Sequence, residues 1–121
     1  MAALNSISLT ASYRMTASGL WVQLKFERKR AAYALIALEN LRFGKIDTLL
    51  LQDSNTKMTA RLTKNGKQYL LSFMGKGLSL SHTHIECVLS LLLDALSGKA
   101  LDGQHYDIEF PGLSLSVMIG E

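Results

Sequence analysis

Alternation of apolar and polar residues at the start of the chain is the feature that most constrains its fold. Residues 6–16 place Ile7, Leu9 and every second residue through Met15 on one side, with serine, threonine and arginine on the other. Successive side chains of a strand point to opposite faces, so this pattern predicts a half-buried strand. Residues 20–27 alternate in the same way after a short turn, which predicts a hairpin with one apolar face.

A second hairpin is predicted around Asn65-Gly66, because these residue types adopt the positive φ of a two-residue turn. The turn would join strands at 57–64 and 67–74. The register that it sets pairs Leu62 with Tyr69, Ala60 with Leu71, and Met58 with Phe73, all on one face. We interpret Gly75-Lys76-Gly77 as the end of the second strand.

A third hairpin is predicted near the end of the chain, where alternating segments flank Pro111-Gly112. A two-residue turn there pairs Phe110 with Leu113, Ile108 with Leu115, and Tyr106 with Val117. Upstream, the apolar run 46–51 predicts a central strand that is covered on both faces.

The first helix is predicted at about 29–43, where apolar residues recur at spacings near 3.6. Gly44 suits the left-handed position that follows a helix end. Lys29 and Arg30 have the wrong sign for a helix N-terminus, which indicates that these cations serve a partner.

The second helix is predicted from a wide apolar stripe between Ile85 and Leu96, ended by Gly98. Thr83 and Glu86 have the spacing of a capping box at its start. A stripe this wide predicts that both of its flanks are covered, either by the sheet and the first helix or by a second subunit.

These elements predict an α+β fold: one two-layer domain over residues 1–121, with the element order ββ-α-βββ-α-ββ, a mostly antiparallel sheet and both helices packed on one face. The composition, 48% hydrophobic and 19% charged, excludes a disordered chain. No apolar run approaches the roughly 18–20 residues of a membrane span, and the start lacks the pattern of a secretory signal. We therefore expect a cytoplasmic protein.

The candidates for a metal site are His82, His84 and Cys87, since two imidazoles and a thiolate are suitable zinc ligands. Their spacing matches no zinc motif, and a buried cysteine beside two solvated histidines is the more common arrangement. No catalytic motif is readable, and no carboxylate pair is surrounded by the residues of a catalytic pocket. We expect no enzyme activity, no metal and no cofactor.

Charge is segregated along the chain. Residues 1–76 carry 12 Lys+Arg against 4 Asp+Glu, whereas residues 77–121 carry one lysine against 6 acidic residues. Such a pattern raises encounter rates with a complementary surface if the two halves stay apart in space, and it has no function if they interleave. The candidate partner-binding residues are Trp21, Lys25, Arg28, Lys29, Arg30, Arg42, Lys45 and Arg61.

Three functions are consistent with this pattern. The first is a protein-binding module, most concretely a small bacterial inhibitor such as an immunity protein that neutralises a toxin. The second is an RNA- or DNA-binding domain that uses the basic patch around the first helix, with Trp21 as a stacking platform. The third is a homodimer like those of effector chaperones, in which the sub-order α-βββ-α-ββ also occurs; this is an analogy of element order only.

Overall fold

The computed structural model describes residues 4–55 and 59–120 of the chain. Its elements are β1 (Ser6–Thr16), β2 (Gly19–Glu27), a 3₁₀ turn (Arg28–Arg30), α1 (Ala31–Arg42), β3 (Thr48–Asp53), β4 (Thr59–Asn65), β5 (Gln68–Phe73), β6 (Lys76–Ser81), α2 (His82–Leu96), β7 (His105–Phe110) and β8 (Leu113–Gly120). The predicted α+β class is confirmed. The described elements follow the order ββ-α-ββββ-α-ββ, with one strand more than predicted.

The described strands form one sheet in the order β6-β5-β4-β3-β1-β2-β8-β7. Most neighbours are antiparallel, as predicted, whereas β1 with β3 and β2 with β8 are parallel. Both helices lie on one face of this sheet and pack against each other. The core between them includes the fully buried Leu41, Leu49, Leu92 and Leu115. Among the described residues, no helix is long and apolar enough to cross a membrane.

The apolar face of β1 is covered over only half of its length. Ile7 and Leu9 are buried, but Tyr13 and Met15 are 53% and 76% exposed. The described part of β3 pairs with β1 only over Ser6–Leu9, so the far end of the β1–β2 hairpin extends beyond it. The prediction that all alternating residues of β1 share a buried face is therefore wrong for its second half.

Strand β3 is central, as predicted, but it is covered on one face only. Leu49 and Leu51 are buried towards the helices, whereas Leu50 is half-buried and Gln52 is exposed on the outer face. The prediction that β3 is covered on both faces was wrong, because both helices lie on the same side of the sheet.

The β4–β5 hairpin forms, but its predicted register is wrong by two residues. Leu62 pairs with Leu71 and Lys64 with Tyr69, so the turn residues are Gly66 and Lys67. Gly66 has φ +65°, and Lys67 does not adopt a positive φ. This turn needs a positive φ only at its first central residue, so Asn65 stays in the strand. A shift of two residues preserves the faces. The predicted strand residues Lys57 and Met58 lie outside the described residues.

Strand β6 was missed, because Gly75-Lys76-Gly77 does not end the sheet. Met74 and Gly75 adopt φ +49° and +73° and form a two-residue turn that pairs Phe73 with Lys76. Positive φ at both central positions is the geometry of a tight hairpin turn. Leu78 and Leu80 then alternate with serines and are buried.

The C-terminal hairpin has the predicted register, with Phe110 opposite Leu113 and Tyr106 opposite Val117. The capping box of α2 lies two residues earlier than predicted. The Ser81 hydroxyl accepts a hydrogen bond from the His84 amide at 3.2 Å, and the His84 ring accepts one from the Ser81 amide at 3.1 Å. Thr83 and Glu86 therefore lie inside the helix.

Candidate functional site

The predicted partner-binding residues fall into three groups in space. Arg28, Lys29 and Arg30 precede α1, whereas Arg42 and Lys45 lie at its other end. Trp21, Lys25 and Arg61 alternate with inward-facing residues of β2 and β4, so they lie on the outer face of the sheet. The structure therefore does not bring the eight residues together on one surface.

Arg28 is engaged inside the molecule. Its guanidinium donates hydrogen bonds to the carbonyls of Ala100 at 2.6 Å and Ala95 at 3.4 Å, and it pairs with Asp102 at 2.9 Å. These contacts join the start of α1 to the connection between α2 and β7. Arg28 thus has a structural role that its position in a basic run did not indicate.

Lys29 and Arg30 compensate a nearby carboxylate. Their nitrogens lie 3.7 Å and 3.4 Å from Oε2 of Glu27, a buried oxygen that has no hydrogen-bond partner among the described atoms. Positive charge is unfavourable at a helix start, but here the Glu27 carboxylate pairs with both cations and offsets this cost. Both cations remain exposed to solvent.

The outer-face residues are dispersed and packed against neighbours. Trp21 is half-buried, and the Arg14 guanidinium lies 4.7 Å above its ring. Lys25 lays its aliphatic chain over Gly120, where a Cβ atom would approach Lys25 Cδ to 2.5 Å. Arg61 is exposed three strands away on β4, so these residues do not form a continuous patch.

The charge segregation of the sequence is retained only in part in space, since Arg28 of the basic half pairs with Asp102 of the acidic half. The acidic Asp107 and Glu109 lie on β7, which is one end of the strand order. The basic β4–β5 hairpin lies near the opposite end, because β8 pairs with β2 rather than with β6. In the strand order the first half of the chain, β1 to β5, is flanked by strands of the second half on both sides, with β6 beyond β5 and with β8 and β7 beyond β2.

The strongest concentration of cations lies where α1 ends, the β4–β5 hairpin turns and α2 begins. We call this surface the basic end and define it by Arg42, Lys45, Lys64, Lys67 and His82. A cleft of about 370 Å³ opens there, lined by Arg42, Lys64, Gly66, Lys67, Tyr69 and His82. Two of the predicted partner-binding residues, Arg42 and Lys45, thus belong to the basic end.

Local contacts hold the cleft residues in place. Lys64 Nζ donates to the carbonyl of Arg42, which is one of the free carbonyls at the end of α1. The Arg42 guanidinium lies over the Phe43 ring at 4.9 Å and faces Glu39 at 3.8 Å. His82 pairs with Glu86 one turn along α2.

Two lysines of the basic end point to solvent without a partner. Lys45 and Lys67 are exposed, and neither forms an ion pair with a described residue. Three carboxylates lie nearby: Glu39, Glu86 and the exposed Asp47, whose backbone carbonyl accepts from the Lys64 amide. Glu39 and Glu86 already face Arg42 and His82, so Lys45 and Lys67 are cations of this surface without an ion pair to a described residue, and Asp47 is the remaining carboxylate near them.

Tyr69 forms a buried wall of the cleft. Its side chain is only 2% exposed, yet its hydroxyl makes no hydrogen bond with a described residue. Burial raises the pKa of this hydroxyl above its ordinary value of 10.0, and Arg42 lowers it in part. The hydroxyl therefore remains protonated at neutral pH and is available as a donor.

The three metal candidates are engaged separately. His82 pairs with Glu86, His84 caps α2, and the half-buried Cys87 hydrogen-bonds with Tyr106. Burial and this hydrogen bond raise the pKa of the Tyr106 hydroxyl. Within 4–55 and 59–120, no group of three or more His, Cys, Asp or Glu side chains is arranged to hold a metal ion.

Tyr69 and His82 were not recognised as parts of one site from the sequence. Tyr69 was assigned to the core by its alternation, and His82 was considered only as a metal ligand. One signal was available: a tyrosine rather than a phenylalanine stands at an inward position two residues after Lys67. A buried tyrosine usually finds a partner for its hydroxyl, so this choice of residue indicates polar surroundings.

A scan against protein-family models finds no match for this chain, and a search of curated proteins finds none either.

Proposed function

We propose that this chain is a non-enzymatic protein-binding module that docks an acidic surface of a protein partner on its basic end. The observation that carries the proposal is the pair of exposed lysines, Lys45 and Lys67, which form no ion pair with a described residue and lie beside a cleft lined by further cations. The most concrete form of this function is a small bacterial inhibitor that neutralises a toxin.

Long-range electrostatics favours this use of the surface. Exposed charges of one sign accelerate association with a complementary partner and fix its orientation, and they suppress binding to surfaces of the same sign. The acidic strand β7 lies at the far end of the strand order from the β4–β5 hairpin, away from the basic end. An acidic partner is therefore directed to one end of the molecule.

The residues of the cleft suit binding. Its lining consists of cationic groups, an imidazole, a phenol and a glycine, which donate hydrogen bonds to anions. Among these lining residues there is no carboxylate, serine or cysteine to act as a nucleophile.

Charge reversal at the basic end tests the proposal. The tagged full-length chain, its K45E/K67E variant and a K76E/K99E control are used to capture proteins from nuclease-treated lysate of the source cells. The control reverses two exposed lysines outside the basic end. We expect a protein that is retained by the wild type and the control and is lost with K45E/K67E. Its association rate with the wild type should fall as salt rises, since screening weakens steering.

Two results would contradict the proposal. One is recovery of the same proteins by K45E/K67E and the wild type. The other is a protein that the wild type captures from untreated lysate in a parallel experiment but not from nuclease-treated lysate; that result would favour the RNA- or DNA-binding alternative. Circular dichroism of each variant checks that the charge changes leave the fold intact.

A further inference from the structure

We propose that the cleft of the basic end is a binding site for the phosphate group of a small ligand. This inference goes beyond the proposed function, because it concerns a small-molecule site and does not depend on a protein partner. It stands on the convergence of donors in one cleft and on a tyrosine hydroxyl in the wall of that cleft that makes no hydrogen bond with a described residue.

The donors come from four different parts of the fold. Arg42 ends α1, Lys64 lies on β4, Lys67 lies in the β4–β5 turn, and His82 begins α2. All four line the same cleft together with Tyr69 of β5. Residues so distant in the chain are placed around one space by tertiary structure, which distinguishes this cleft from a run of surface lysines.

The Tyr69 hydroxyl is the second, independent observation. Tyr69 is only 2% exposed, and its hydroxyl makes no hydrogen bond with a described residue. Its oxygen is not among the fully buried atoms that lack a partner, so it is accessible from the cleft, where a hydrogen-bond partner can reach it. A ligand oxygen in the cleft that Tyr69 lines would supply this partner.

A phosphate fits these donors better than a carboxylate does. It offers three terminal oxygens in a tetrahedral arrangement, whereas a carboxylate offers two in one plane. The donors surround the cleft from several elements, so a tetrahedral group can accept from more of them at once. At neutral pH a phosphate monoester also carries about −1.5 to −2 charges, which suits a site with several cations.

The remaining features of the cleft agree with this ligand. Its volume of about 370 Å³ exceeds that of a phosphate alone and leaves room for an attached group. The start of α2 lies at the cleft, and the positive end of a helix dipole favours an anion there. Glu39 and Glu86 oppose an anion, but each already faces a cation, Arg42 and His82 respectively.

Titration of the ¹⁵N-labelled full-length chain with inorganic phosphate, followed by ¹H–¹⁵N NMR at neutral pH, tests the inference. Acetate at matched ionic strength is the comparison arm. We expect saturable shifts of the amides of Gly66, Lys67 and His82 with phosphate, and weaker, non-saturating changes with acetate. The same spectra report whether each variant is folded.

Variants separate the site from general attraction of anions. Y69F keeps the ring and removes the hydroxyl, and it should weaken phosphate binding by about tenfold or more, the value of one hydrogen bond to a charged group. K67Q, which removes a cleft-lining charge, should weaken it about threefold. K45Q removes the same charge from the same end of the molecule without lining the cleft, and it should bind phosphate like the wild type.

The inference is overturned if phosphate produces no saturable shifts, if acetate binds equally well, or if Y69F binds phosphate as tightly as the wild type does. Loss of phosphate binding in all three variants alike would show nonspecific charge attraction and would also overturn it. Failure of the phosphate site leaves the capture of a protein by Lys45 and Lys67 untouched, because that experiment has its own readout.

Discussion

Replacing Arg28 by methionine should destabilise the domain by about 2–3 kcal/mol, although this residue stands in an exposed basic run. Methionine preserves the apolar stem and removes every donor. The guanidinium donates at 2.6 Å to Ala100 O and at 3.4 Å to Ala95 O. A hydrogen bond to a charged group contributes about 1.5–3 kcal/mol, so the short bond supplies most of the effect and the long one little.

The ion pair with Asp102 should contribute much less. Both side chains are partly exposed, 32% and 48%, and exposed pairs contribute about 0–1 kcal/mol. We therefore expect D102N to lower the free energy of unfolding by about 0.5 kcal/mol. Its effect should shrink in 1 M salt, where the screening length falls to about 3 Å.

Equilibrium unfolding in urea measures the unfolding free energy of both variants. If the dependence of this free energy on urea concentration is unchanged, the substitution has not altered the unfolded state. Two outcomes would refute the reasoning. One is an unfolding free energy of R28M within about 0.5 kcal/mol of the wild-type value, which would show that the contacts of Arg28 do not stabilise the fold. The other is D102N as costly as R28M, which would assign the stabilisation to the ion pair instead of the carbonyl contacts.

Three further predictions follow from local geometry. Gly19 has φ +131° and a Cβ there would lie 2.3 Å from Gly112 O, so G19A should lower the unfolding free energy by more than about 3 kcal/mol. At Gly44, which has φ +77°, an added Cβ would meet no atom within 4 Å, so G44A should lower the unfolding free energy by only about 1–2 kcal/mol. If thermal unfolding shows equal losses for G19A and G44A, the predicted clash at Gly19 is wrong. S81A removes the observed N-cap and should lower the unfolding free energy by about 1 kcal/mol, whereas T83A should lower it by less than about 0.5 kcal/mol. A larger loss for T83A than for S81A in urea unfolding would support Thr83 as the N-cap instead. Burial raises the pKa of Tyr69, so the folded state holds this proton more tightly than the unfolded chain does. The wild type should therefore lose stability relative to Y69F as pH rises above about 10 towards the folded-state pKa, and parallel stability curves would contradict this.

Part of the candidate site was predictable from the sequence. Arg42 and Lys45 were assigned to a partner surface from their charge, and both lie at the basic end. Charge alone could not separate them from Arg28, because a guanidinium that binds carbonyls of the α2–β7 connection looks the same in the sequence. Convergence with Tyr69 and His82 required the positions of β5 and α2.

The fold was predicted where the signal was local. The turn at Pro111-Gly112 and the alternation on both sides agree on one register, and that register is observed. Around Asn65-Gly66 two turns were compatible with the same alternation, and the observed one uses Gly66 as the sole residue with positive φ. The turn before β6 could not be recognised from the sequence, because Met74 adopts φ +49° and methionine rarely takes this conformation. The hairpin that leads to β6 was therefore missed.

The sequence by itself determined which residues share a face, where the two helices form and how the last hairpin is aligned. These properties follow from side-chain periods and turn stereochemistry, which involve only a few neighbouring residues. Only the tertiary structure decided which apolar faces are covered and which cations converge. Coverage of β1 ends where β3 stops pairing with it, and the cleft exists because α1, the β4–β5 turn and α2 meet at one end of the sheet. Such meetings depend on strand order and helix packing across the whole chain, which no local pattern encodes.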